Sequence, residues 1–313
     1  MENLKKTEEG ISKRAMVVKK LVKEFNQNVT LKSYLIEKNR SESDIDKEFR
    51  YPEHLATRLI ERDNYKMELL WRTGEHPDWV VLQLHGGGYV SAMKNNYRTM
   101  AGLYSEVCAG AAVLTIDYRV APEHPYPAAL FDALDAYEWL QEQGYDSGHI
   151  ILAGDSAGGG LAIALCMYLR EHTMQRPAGI VAMSPWADLT ASGPSYDANY
   201  EVDVVFGNRR DSLIYDNPYC GGSDPTNPYI SPVYGTFEEF PPMLIQVGTE
   251  EMLLSDAQTI AEKAKKAGVS VRFTEYSGMF HVFQMTAKVM PESMRAWSEV
   301  GKFFSILKEG EKL

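Results

Sequence analysis

The chain has 313 residues, 44% hydrophobic and 24% charged, with a formal net charge of -11. That composition suits a globular protein with a sizeable core, and the acidic excess argues against nucleic acid, whose phosphate backbone it would repel. Three cysteines without a CxxC spacing, Cys108, Cys166 and Cys220, argue against a disulfide framework and a structural zinc site.

The N-terminal sequence MENLKKTEEGISKRAM has no apolar stretch of signal-peptide length, and no window approaches a membrane span, so a cytoplasmic location is expected. Residues 11–26 place Val17, Val18, Leu21, Val22 and Phe25 at helical spacing, with Lys13, Arg14, Lys19, Lys20 and Lys23 on the other face. A helix packed on the body of the protein is the expectation, ahead of a membrane-surface helix. Residues 38–54 are polar, contain Pro52 and read as a connecting segment.

From about residue 55 short apolar runs alternate with helical ones. Strands are predicted at 66–72, 79–84, 112–117, 149–153, 178–183, 242–247 and 270–276. Helices are predicted near 97–109, 128–143, 157–173, 255–267 and 291–308. This alternation implies an α/β fold with a mostly parallel sheet flanked by helices on both faces. Cys108 and Cys166 fall in helical patterns and are expected as small buried hydrophobes. Residues 187–240, rich in Asp, Asn, Gly, Pro and Tyr, break the rhythm as an insertion.

Between the strand at 149–153 and the helix after it stands Gly154-Asp155-Ser156-Ala157-Gly158, a G-x-S-x-G turn. A serine on a sharp, strained turn needs small neighbours two residues away. The Ala157 N–H at the helix start can then stabilise an oxyanion. A phosphate-binding loop is the competing reading, but neither G-x-G-x-x-G nor G-K-[ST] occurs. A second cluster, His85-Gly86-Gly87-Gly88-Tyr89, follows the strand WVVLQL. Three glycines exceed what a plain turn needs and would let backbone N–H groups face a developing oxyanion.

HGGGY, DYRVAPEHPYPAAL (117–130) and GDSAGG (154–159) together resemble the hormone-sensitive-lipase family of esterases and lipases, in the α/β-hydrolase fold. SPWADLT (184–190) and GMFHVF (278–283) extend the resemblance over roughly residues 78–283. Tyr89 stands where the family usually carries tryptophan. The resemblance implies a serine carboxylesterase with Ser156 as nucleophile and the chain order Ser, Asp/Glu, His. Only His281 comes late enough in the chain to be the base. The family's Asp-x-Leu aligns with Glu251-Met252-Leu253, making Glu251 the expected acid, with Glu250 and Asp256 as alternatives. Gly86, Gly87, Gly88 and Ala157 are the candidate oxyanion donors. Asp117, Arg119 and Glu123 are expected to pair among themselves and hold their turn.

Two segments fall outside the hydrolase body of residues 56–313: the N-terminal 1–55 and a cap insertion at about 187–225. In the family such pieces form a helical cap. Here Val17, Val18, Leu21 and Phe25 on one side, and Tyr196, Tyr200 and Val205 on the other, are expected to shape an apolar pocket for short acyl chains of about C2 to C8. No cofactor is implied, and no metal, since HExxH is absent. A homodimer is expected if the strand at 270–276 ends the sheet as an exposed edge. The same triad would serve a deacetylase or an amidase. A ligand-binding protein on a dead hydrolase is the remaining alternative, although such a protein would typically lack the serine or the histidine.

Overall fold

The computed structural model describes residues 4–6, 10–27, 40, 42–209 and 212–311. Among the described residues nine strands form one sheet: β1 (Leu4–Lys6), β2 (Leu55–Glu61), β3 (Lys66–Arg72), β4 (Val80–Leu84), β5 (Ala112–Asp117), β6 (Ile150–Asp155), β7 (Gly179–Met183), β8 (Met243–Gly248) and β9 (Val271–Tyr276). Their order is β1-β9-β8-β7-β6-β4-β5-β3-β2. β2 with β3 and β3 with β5 are antiparallel, and all other neighbours are parallel.

The helices are α1 (Lys13–Gln27), α2 (Asn95–Val107), α3 (Ala128–Glu142), α4 (Ala157–Glu171), the single turn α5 (Ser195–Ala198), α6 (Leu254–Lys266) and α7 (Pro291–Glu309). Side chains alternate across a strand, so β4 sends Val80, Leu82 and Leu84 to one core and Val81 to the other. The first core includes α3, α4 and α6, and the second α2 and α7. Covered on both faces, β4 and β6 are apolar apart from Gln83, which donates to the Tyr97 carbonyl, and Asp155 at the end of β6. α4 is buried nearly all round, which explains a sequence with almost no polar face.

β4 sits between β5 and β6, although the chain runs β4, β5, β6. Reversal of strand order opens a crevice at the carboxyl ends of β4 and β6, where ligands of open α/β sheets bind. Both the glycine run and the serine turn leave the sheet there.

Three expectations need correction. β2 falls where no strand is predicted: its residues are mostly exposed, so LATRLIE lacks the apolar pattern of a core strand. The strand at 270–276 is not the sheet edge, because β1 pairs with it in parallel, Leu4 opposite Phe273. A three-residue LKK strand carries no periodic signal, and its pairing removes the edge argument for a dimer. Asp117, Arg119 and Glu123 do not pair among themselves. Arg119 binds Asp132 in α3, Asp117 accepts the Met93 N–H (2.8 Å), and Glu123 is exposed.

α1 does pack on the body, but through Ala15, Val18 and Val22; Val17 and Leu21 face solvent and do not form the pocket wall expected of them. Residues 28–39 of the expected N-terminal cap lie outside the described residues. Cys108 and Cys166 are buried, as expected. Among the described residues no helix is long and apolar enough to cross a membrane.

The segment before β2 is held by one buried cation. Arg98 in α2 bonds both oxygens of Glu68 (3.2 and 3.0 Å) and the carbonyls of Asp44, Ile45 and Lys47. Arg98→Ala would leave the Glu68 charge buried without its counter-ion and free those carbonyls. It should cost about 3–5 kcal/mol, read as a lower urea midpoint.

Candidate active site

The serine turn is built by close backbone approach. Ser156 sits at φ 52°, ψ -123°, a strained conformation for a residue with a Cβ. A Cβ on Gly158 would stand 2.0 Å from the Leu84 carbonyl oxygen, and one on Gly154 would stand 2.3 Å from that of Gly158. Only glycine lets α4 start this near the end of β4. The Ser156 N–H donates to the Met183 carbonyl (2.9 Å), and the Ser156 carbonyl accepts from Trp186 (2.9 Å), so two neighbouring segments clamp the turn.

Ser156 Oγ donates to His281 Nε2 (2.9 Å), and His281 Nδ1 donates to Glu251 Oε2 (2.8 Å). Glu251 is wholly buried; its other oxygen accepts from Ser184 Oγ (2.7 Å) and the Gly248 N–H. Ser184, just after β7, also accepts the Val282 N–H (3.2 Å), so one hydroxyl ties the acid to the histidine loop. The ring of Phe206 lies 4.7 Å from that of His281.

The other carboxylate candidates have different partners. Glu250 pairs with Lys19 of α1. Asp256 accepts the N–H groups of Ala187 and Asp188 (2.9 and 2.8 Å) and the Tyr196 hydroxyl (3.1 Å). Burial pushes the Asp256 carboxyl well above its ordinary range. Tyr196 is therefore a buried strut rather than the pocket wall expected of it.

The glycine run is held at both ends. The Gly86 N–H donates to Asp155 Oδ1 (3.2 Å), which removes Gly86 from the free oxyanion donors. Its carbonyl accepts from His85 Nδ1 (2.7 Å), and the His85 ring stacks on Tyr118 at 4.0 Å. Burial lowers the His85 pKa, which keeps the ring neutral. At the far end the Gly88 carbonyl accepts from Asn217 Nδ2 (2.9 Å), while Asn217 Oδ1 takes the Tyr219 N–H (2.7 Å). Tyr219 stacks on Tyr89 at 3.8 Å. Among the described residues the N–H groups of Gly87 and Gly88 have no acceptor. Their positive φ values, 111° and 65°, suit glycine. Ala157 opens α4, so its N–H has no acceptor within the helix.

Sequence reasoning brought together Ser156, His281 and Glu251, but it missed three supports. Ser184, Asn217 and Phe206 come from loops without periodicity, and only SPW at 184–186 gave any signal. Asp155, the x of the G-x-S turn, is a further support that the motif does not reveal. It is buried, bonds Gly86 and Tyr97, and loss of hydration lifts its pKa to about 7. Among the described residues no cluster of three His, Cys, Asp or Glu side chains is arranged to hold a metal ion.

A strained serine above a parallel sheet, hydrogen-bonded to an imidazole that in turn bonds a carboxylate, is the arrangement of the α/β-hydrolase fold. A family model described as the alpha/beta hydrolase fold matches residues 81–285. The chain is 42% identical to an acetyl-hydrolase of Streptomyces hygroscopicus over 71% of its length and 74% of the relative's. It is 34% identical to an esterase of Acinetobacter venetianus over 73% and 75%. The solved structure of an esterase from the bacterial hormone-sensitive lipase family superposes with a TM-score of 0.81 at 33% identity, covering 95% of this chain and 98% of that one. The chain belongs to the hormone-sensitive-lipase family of the α/β-hydrolase fold, and it is a carboxylic ester hydrolase.

Two outcomes are expected from the loop supports. Asn217→Ala should lower kcat about tenfold with little change in KM, since it loosens the loop without removing an oxyanion donor; steady-state kinetics on an aryl acetate reads this. Asp155 gives a pH signature. Between the ordinary carboxylate range and pH 7 the unfolded chain loses this proton while the native state keeps it, so the group lowers stability as pH rises. The melting temperature of Asp155→Asn relative to wild type should therefore climb between pH 4 and 7 and level off above.

Proposed function

We propose that Ser156 is the nucleophile, His281 the general base and then acid, and Glu251 the group that fixes the imidazole tautomer and stabilises the imidazolium. The supporting observation is that His281 bridges the other two side chains at 2.9 and 2.8 Å. Ser156 Oγ attacks the ester carbonyl as its proton passes to Nε2. The charge arriving on the carbonyl oxygen meets the N–H groups of Gly87, Gly88 and Ala157. Collapse expels the alcohol, which takes the proton from His281, and water then releases the acid from the acyl-enzyme by the same route.

The proposed substrates are small esters with short acyl groups, about C2 to C8. Bulk close to the glycine loop supports this limit. Carbons of Trp186 and Leu213 lie 3.7 and 3.8 Å from where a Cβ on Gly88 would be. Relatives named acetyl-hydrolase and ethyl acetate hydrolase make acetyl the first acyl group to try. The insertion around 187–225, together with α1, acts as the cap: Asn26 of α1 donates to the Val204 carbonyl (2.9 Å) and joins the two pieces.

Ser156→Ala should lose roughly 10⁴-fold or more in kcat, and Glu251→Gln about 10⁴-fold. Hydrolysis of p-nitrophenyl acetate, butyrate, octanoate and laurate by wild type and both variants tests the scheme. Equal rates in wild type and Ser156→Ala would refute the nucleophile, and rates rising toward laurate would refute the short pocket.

A further inference from the structure

The outer face of α1 takes no part in the chemistry. Inward, Ala15, Val18 and Val22 pack against the cluster of Tyr276, Met279 and Phe280. Lys19 reaches Glu250 and the Gly278 carbonyl. These contacts seat the helix over the loop that carries His281, at the carboxyl end of the sheet.

Outward, the helix shows large aliphatic side chains to solvent: Met16, Val17 and Leu21 are 52, 60 and 59% exposed. Exposed Lys13, Arg14, Lys20 and Lys23 surround them. At 3.6 residues per turn these seven side chains share one half of the helix with exposed Glu24, opposite Ala15, Val18, Lys19 and Val22. Lys20 pairs loosely with Glu24 (3.7 Å), whereas Lys13, Arg14 and Lys23 make no ion pair among the described residues. In a chain of net charge -11, this helix carries five cations and one acid. Val202 of the insertion is also exposed, two residues from the carbonyl that Asn26 holds. Its exposed neighbour Glu201 opposes the cationic trend.

We propose that this face of α1 docks the enzyme on an anionic lipid surface. Aliphatic side chains ringed by lysine and arginine suit the boundary between acyl chains and negatively charged headgroups. Docking there sets the carboxyl end of the sheet, with Ser156, toward the bilayer. The reading goes beyond ester hydrolysis and does not depend on it, because binding is measured without turnover.

The test is co-sedimentation of the full chain with vesicles of phosphatidylcholine alone or mixed with phosphatidylglycerol, at low and high salt. Wild type should pellet with the mixed vesicles at low salt, stay in solution with the neutral ones, and be released by salt. Lys13→Glu with Lys20→Glu and Lys23→Glu should abolish pelleting, and Val17→Ser with Leu21→Ser should weaken it at least tenfold. Both variants should hydrolyse soluble p-nitrophenyl acetate at the wild-type rate, which shows that they are folded. Three results would overturn the proposal: wild type that never pellets, equal pelleting with both vesicles, or a dimer in sedimentation velocity that Leu21→Ser dissolves. The last would make a second copy of the chain the occupant of this face.

Discussion

The approach of two backbones at the centre of the sheet governs everything around it. α4 begins against the end of β4 with a carbonyl oxygen where a side chain at residue 158 would be. That contact seats the strained turn of Ser156 against the strand from which the glycine run leaves, and the Gly86 N–H bonds the neighbouring Asp155. Strain of this kind persists only where the surroundings over-determine it. Here the surroundings are the buried β6, the buried α4 and the bonds to Met183 and Trp186. The Ser156 hydroxyl and the proposed oxyanion donors are thus placed by one packing event.

Three carboxylates within seven residues show how packing assigns roles to similar side chains. Glu250 faces outward and meets Lys19; Glu251 turns inward and meets His281; Asp256, one helical turn on, meets two backbone N–H groups. All three lie after β8, where sequence reasoning looked for the acid. The choice among them depends on which side chain points into the crevice. Asp155 adds a fourth, buried beside Ser156 and holding the glycine loop by a single N–H. Its raised pKa is the cost of placing a carboxyl where water cannot hydrate it.

The central strands and helices were legible because burial on both sheet faces leaves long apolar runs, and the serine and glycine turns were legible because their geometry tolerates few residue types. The failures share a cause as well. β1 and β2 are edge strands, so nothing compels an apolar pattern. The partners of Asp117 and Arg119 come from Met93 and Asp132, outside the motif that suggested a closed charge cluster. The supports at Ser184, Asn217 and Phe206 sit on irregular loops, whose side chains meet the site through the fold and leave no period in the sequence. Gly86 shares the glycine run with two free donors, and only its bond to Asp155 sets it apart.

Asn217 belongs to the insertion, yet it grips a carbonyl of the loop proposed to receive the developing charge. Under the proposed scheme, the piece of chain that shapes the pocket is mechanically continuous with the piece that stabilises the reaction. A cap of this kind is not an interchangeable module: an insertion grafted in from a relative would change turnover along with selectivity unless it brought its own amide to Gly88 and its own ring to Tyr89. Selectivity and rate share a strut, so variation in one is constrained by the other.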